Sequence, residues 1–119
     1  MENLAHLEHR LRVAGDRVCI VDLYNRACGA CKEVEKHFAA SCRVSGLEDD
    51  GPVFLKHNIR DDRDDLSDVA RLYGVRHAPA FLVFQGGALK WRMRGRDLAR
   101  VARAARELEE EARAGGRSN

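Results

Sequence analysis

Val18-Cys19-Ile20-Val21-Asp22-Leu23-Tyr24, followed by Asn25-Arg26-Ala27-Cys28-Gly29-Ala30-Cys31-Lys32, decides how this chain folds. The apolar run at 18–24 reads as a strand buried on both faces, of the kind found inside an α/β sheet. Asn25, Arg26 and Ala27 form a polar corner that delivers Cys28 and Cys31 to the start of a helix. Two cysteines so spaced, the first at a helix N-terminus, make a thiol pair that can close and reopen as a disulfide. The helix end, Arg26 and Lys32 favour the thiolate, which is the nucleophile in that chemistry.

The rest of the chain sets the bounds on this reading. At 119 residues it is one domain, expected over 1–114 with a disordered tail at 115–119, and long enough for a core without disulfide staples. Its 21 basic and 19 acidic residues leave +2, too even to argue for nucleic acid or a membrane surface. Four cysteines at unequal spacings do not form a secreted disulfide framework, and a reducing setting is the default. No apolar run approaches a membrane span, and no signal segment opens the chain.

In order, Asn3 caps a first helix with Leu4, Leu7, Leu11 and Val13 on its apolar side, stopped by Gly15 and Asp16. A second helix runs over 29–44, with Val34, His37 and Phe38 on the stripe of Cys31. A loop at 45–52 leads to a strand at 53–59, and the helix between the two strands makes them parallel. The acidic run 61–65 lacks the spacing of a calcium loop and reads as caps for a helix over 66–73. Pro79 opens a third strand at 80–84. A glycine-rich turn returns the chain antiparallel through 89–94, and Asp97 caps a last helix facing inward through Leu98, Val101, Ala105 and Leu108. Trp91 packs in the last strand, while His6 and His9 lie on the surface.

Two residue types call for explanation. A carboxylate inside an apolar strand, Asp22, is costly unless paired or functional. Half of a zinc site competes with redox chemistry at Cys28 and Cys31. Zinc needs four ligands, however, and His37 and Cys42 would join only by distorting the helix. Cys19 reads as a core thiol and Cys42 as a peripheral one.

Over 13–108 the chain resembles the thioredoxin family. The resemblance is carried by Val21-Asp22, Cys28-Gly29-Ala30-Cys31-Lys32, Lys56, Gly74-Val75-Arg76-His77-Ala78-Pro79, Phe84-Gln85-Gly86-Gly87 and Gly95. It implies a central mixed β-sheet flanked by helices, an α/β thioredoxin fold, here without the family's first edge strand. The family's tryptophan before the first cysteine is Ala27, and its proline between the cysteines is Ala30. These departures, with the Ala-Gly-Asp-Arg approach at 14–17, look most like the atypical cysteine- and histidine-rich thioredoxins of plastids.

The resemblance implies that Cys28 attacks and Cys31 resolves, while Asp22 moves a proton to or from Cys31 with Lys56 beside it. Pro79 would be cis and face the cysteines, letting Ala78 pair with an extended substrate lined by Gly29, Ala30 and His77. The function so implied is a thiol–disulfide oxidoreductase, a monomer needing no cofactor or metal. Its partners would be disulfide-containing proteins, of peroxiredoxin type or metabolic enzymes, and an upstream reductase or small-thiol donor. Neither nucleic acid nor membrane is implied. The setting would be the chloroplast stroma, with a transit peptide absent from this sequence, or otherwise the cytoplasm. A redox-switched protein-binding module on the same fold is the alternative. An extra N–H from Ala30 on the Cys28 sulfur would make the couple less reducing than in thioredoxin, at about −260 to −220 mV.

Overall fold

The apolar run folds as strand β1 (Cys19–Tyr24) and takes an interior place in the sheet, where both of its faces are covered. The computed structural model describes residues 1–45 and 51–117, with side chains described for 1–40, 51–112 and 114. Helix α1 (Leu4–Ala14) precedes β1, and helix α2 (Gly29–Ser45) follows it and leads to β2 (Val53–Asn58). Helix α3 (Asp68–Tyr73), strands β3 (Ala80–Gln85) and β4 (Ala88–Arg94), and helix α4 (Leu98–Arg117) complete the order. The sheet runs β2-β1-β3-β4, with β1 parallel to β2 and antiparallel to β3. The expected mixed sheet is therefore present, and among the described residues β2 is an outer strand of it.

Strand periodicity divides the core between the two faces of this sheet. Val21, Leu23, Leu55 and Phe84 meet Leu7 and Leu11 of α1 and Val69 of α3 on one face. On the other, Ile20, Phe81 and Val83 meet Val34 and Phe38 of α2 and Val101 and Ala105 of α4. Phe38 stands edge-on to Phe54 with ring centroids 5.1 Å apart, which locks α2 over β1 and β2. The second face carries the candidate site residues Asp22 and Lys56, which share the strand parity of Ile20 and Phe54.

Several local expectations are corrected. Val13 is exposed, since it lies about 200° around the helix from Leu11, and Ala14 closes the apolar stripe instead. His37 is exposed beside the buried Val34 and Phe38. The acidic run does not cap a helix. Asp61 Oδ1 accepts the N–H groups of Arg63 and Asp65, both at 2.9 Å, and closes a turn of its own. Leu66 bridges to Arg60, and α3 starts two residues later with Ser67 Oγ accepting the Ala70 N–H at 3.1 Å. Helix α4 runs through Arg117, so its last three residues fall within 115–119. Residues 118 and 119, most of the 45–52 loop and the Cys42 side chain lie outside the described residues.

The hairpin between β3 and β4 turns on Gly86 and Gly87, at φ 59° and 78°. Two successive positive φ angles give a turn whose twist matches the strands it joins, and glycine adopts them without steric cost.

Candidate active site

The end of β1 is turned outward by Asn25, whose side chain accepts the Ala27 N–H at 3.2 Å and whose carbonyl accepts the Cys28 N–H at 3.0 Å. This sets Cys28 at the lip of α2, half-buried, and Cys31 one turn further in at 5% exposure. The Cys31 N–H donates to Cys28 Sγ at 3.1 Å, so the first sulfur caps the helix it precedes. No bond from the Ala30 N–H to that sulfur is formed, and the expected effect of Ala30 on the redox couple loses the donor it was built on. Both thiols are free.

The loop before β3 faces the pair. Cys28 Sγ donates to the Ala78 carbonyl at 3.5 Å, and the Ala78–Pro79 peptide is cis. Gly95 N–H donates to the Pro79 carbonyl at 2.9 Å, which ties this loop to the end of β4. Ala78 and Pro79 are half-buried, while His77 and Gly29 are exposed and Ala30 is half-buried at the rim. The structure thus brings Cys28, Cys31, Gly29, Ala30, Ala78 and Pro79 together around one sulfur.

Beneath the helix start lies a cleft of about 200 Å³ lined by Asp22, Tyr24, Asn25, Arg26, Cys31, Lys32, Glu35 and Lys56. Asp22 is 1% exposed, and its Oδ1 has no hydrogen-bond partner. Burial pushes its carboxyl up to about 6, with the Lys56 charge opposing and the Glu35 charge assisting. Burial likewise raises the Cys31 thiol to about 12; its hydrogen bond with Cys28 adds to this, a backbone bond from Asn25 opposes it, and the Cys28 and Asp22 charges raise it further. A reluctant thiol and a carboxylate able to hold a proton near neutrality therefore share one cleft.

Lys56 stands in register with Asp22 on the adjacent strand, as the family resemblance implied. Its ammonium nonetheless bonds Glu35 and sits 5.3 Å from the centre of the Tyr24 ring. Two residues were not singled out from sequence, Glu35 in this cleft and His57 on the opposite face of the sheet. Glu35 lies four residues beyond Cys31 on α2, a spacing that puts both on one helix face and that could have flagged it. His57, 2% exposed, has Nδ1 on the Met1 carbonyl at 3.1 Å and Nε2 on Ser67 Oγ at 2.7 Å. Among the described residues no cluster of three or more His, Cys, Asp or Glu is arranged to hold a metal ion.

The model of the thioredoxin family matches residues 2–107. The chloroplastic thioredoxin-like 4 of Arabidopsis thaliana is 37% identical over 82 residues, covering 69% of this chain and 40% of that protein. Its counterpart in Oryza sativa subsp. japonica is 35% identical over 103 residues, covering 87% of this chain and 48% of that protein. This chain thus spans less than half the length of either relative. Among solved structures, the complex of ferredoxin:thioredoxin reductase and thioredoxin f2 contains a chain that superposes with a TM-score of 0.70 at 24% identity. That match covers 89% of this chain and 94% of that one, and the likeness is one of fold.

Proposed function

The chain belongs to the thioredoxin family, and we propose that it is a thiol–disulfide oxidoreductase acting on disulfides of other proteins, in plastids as its named relatives are. The observation that carries this reading is the buried Asp22 carboxylate in the cleft of Cys31, whose Oδ1 bonds no protein group. A module that only binds partners has no need of a buried proton carrier beneath its second cysteine, and burying one without a partner is destabilising.

The geometry supports the following steps. The Cys28 thiolate attacks a target disulfide; a bond forms between Cys28 Sγ and one target sulfur, and the second target sulfur leaves as a thiolate. An extended target segment beside Ala78 places its sulfur next to Cys28, since the Ala78 carbonyl is already 3.5 Å from Cys28 Sγ. Cys31 holds its proton until a base takes it, and Asp22 is the carboxylate placed to do so. The Cys31 thiolate then attacks Cys28 Sγ, the mixed disulfide breaks, and the target leaves as a dithiol. The target has gained two electrons and the Cys28–Cys31 pair has lost them, so a separate dithiol donor or reductase must restore the pair.

Insulin reduction by dithiothreitol tests the proposal. A catalyst at substoichiometric concentration accelerates it, and Cys28→Ser abolishes the acceleration. An unaccelerated reaction would assign the cysteines to a switch that gates binding.

A further inference from the structure

We infer that Glu35 is a positioning residue for the proton transfer at Asp22: by holding Lys56 at the surface, it keeps that lysine from forming an ion pair with the buried carboxylate. The inference rests on the oxidoreductase reading above and deepens it.

Three observations carry it. Asp22 and Lys56 are register partners on adjacent parallel strands, with side chains on the same face of the sheet. A buried carboxylate beside an ammonium at such a position has every electrostatic reason to pair with it. Yet Asp22 Oδ1 makes no hydrogen bond, while Lys56 Nζ bonds Glu35 Oε1. The competition is decided by solvation. The Glu35 and Lys56 side chains are 56% and 38% exposed, so the ammonium keeps much of its water when it pairs there. Pairing with Asp22 would draw it into the cleft and cost that hydration.

The consequence is electrostatic. With Lys56 bound to Glu35, Asp22 faces a compensated pair of charges and is not locked in its ionised form. From α2 it is faced by Cys31, Lys32 and Glu35; from β2 by Lys56; and from β1 and its outer end by Tyr24 and Arg26. On β3 its register partner is the apolar Phe81. Of these, Lys56 and Glu35 are the charges whose attraction or repulsion acts on Asp22 most. Removing the Glu35 charge does two things in the same direction: it deletes a repulsion and frees Lys56 to turn inward. A carboxylate so paired is a weaker base for the Cys31 proton.

The test is a titration of the Asp22 side-chain carboxyl carbon by NMR in the reduced full chain, which needs no target protein. Glu35→Gln lowers the midpoint by about one pH unit. Glu35→Asp, which keeps the charge, leaves the midpoint near that of the unaltered chain, and Glu35→Gln with Lys56→Met returns it to that value or above. The pH at which mixed-disulfide release reaches half its maximum moves down with the midpoint in Glu35→Gln. An unmoved midpoint in Glu35→Gln, or a fall that persists when Lys56 is also replaced, overturns the inference. Failure of the unaltered chain to accelerate insulin reduction would refute the oxidoreductase reading while the titration still reports on the lysine, so the two failures are told apart.

Discussion

Asp22 and His57 sit on neighbouring strands one register position apart, both almost wholly buried, and on opposite faces of the sheet. They have met opposite fates. Both ring nitrogens of His57 are engaged, by the Met1 carbonyl and the Ser67 hydroxyl, so the ring ties the chain before α1 and the cap of α3 to β2. The Asp68 carboxylate reinforces that side by accepting the Leu4 N–H at 3.0 Å. Asp22 leaves an oxygen bare inside the cleft of Cys31. A buried polar group with full partners contributes about 1 kcal/mol per bond, whereas an unpartnered one costs about 1–3 kcal/mol. Buried polarity on the α1/α3 face holds the fold together, while the α2 face keeps a destabilising group beneath Cys31, where the proposed chemistry calls for a base.

The largest way to break this division is at the sulfurs. Cys28→Ser abolishes the acceleration of insulin reduction, and Cys31→Ser leaves the first attack intact and accumulates mixed disulfides recoverable with dithiothreitol. Identical trapping by the two variants would overturn the assignment of roles. His57→Gln, on the other face, leaves turnover per folded molecule unchanged; a loss there would make the two faces one functional unit.

Asp22→Asn sharpens the comparison because it moves activity and stability in opposite directions. With its pKa pushed up to about 6, Asp22 contributes stability below its ordinary range, near 3.8, and that contribution is lost as pH rises through about 6. At pH 8 the asparagine variant is therefore more stable than the native chain by about 3 kcal/mol, and the gain vanishes near pH 4 in denaturant titrations. Its turnover falls by about tenfold or more. Equal stability at pH 8 would mean that the carboxylate is better satisfied than its surroundings show.

His57 obeys the opposite sign. Burial lowers its pKa from the ordinary 6.5, so the unfolded chain takes up the proton first, and stability falls as pH drops through that value. His57→Gln costs about 2 kcal/mol at neutral pH, through lost partners for Met1 and Ser67, and removes this slope from the stability profile. The smallest effect is expected at Ala30. Proline there leaves the Cys31 N–H on Cys28 Sγ, so Ala30→Pro shifts the redox potential by no more than about 30 mV in a glutathione titration. A larger downward shift would restore the dipeptide as the control point.

The local elements were legible from residue spacing. The run at 18–24 specified an interior strand, Asn3 capped α1 as expected, and two glycines marked the hairpin, because each depends on neighbours within one turn or one pleat. The cysteine pair, the Asp22 carboxylate and the Pro79 loop stood out in the sequence as candidates for chemistry, since a polar group or proline in such a place is costly without a use. The start of α3 was misread because Asp61 closes a turn of its own over Arg63 and Asp65 while Ser67 caps the helix at Ala70, and density of charge does not say which side chain becomes the cap. What the tertiary structure alone decided was the pairing of the long side chains. The position of Lys56 in sequence puts it beside Asp22, but its ammonium can reach Glu35 as well, and the choice turns on how much water each arrangement strips away. His57 likewise found its partners more than fifty residues upstream and ten downstream. Periodicity records which face a residue takes; only the assembled fold sets the competition among partners and solvent on that face.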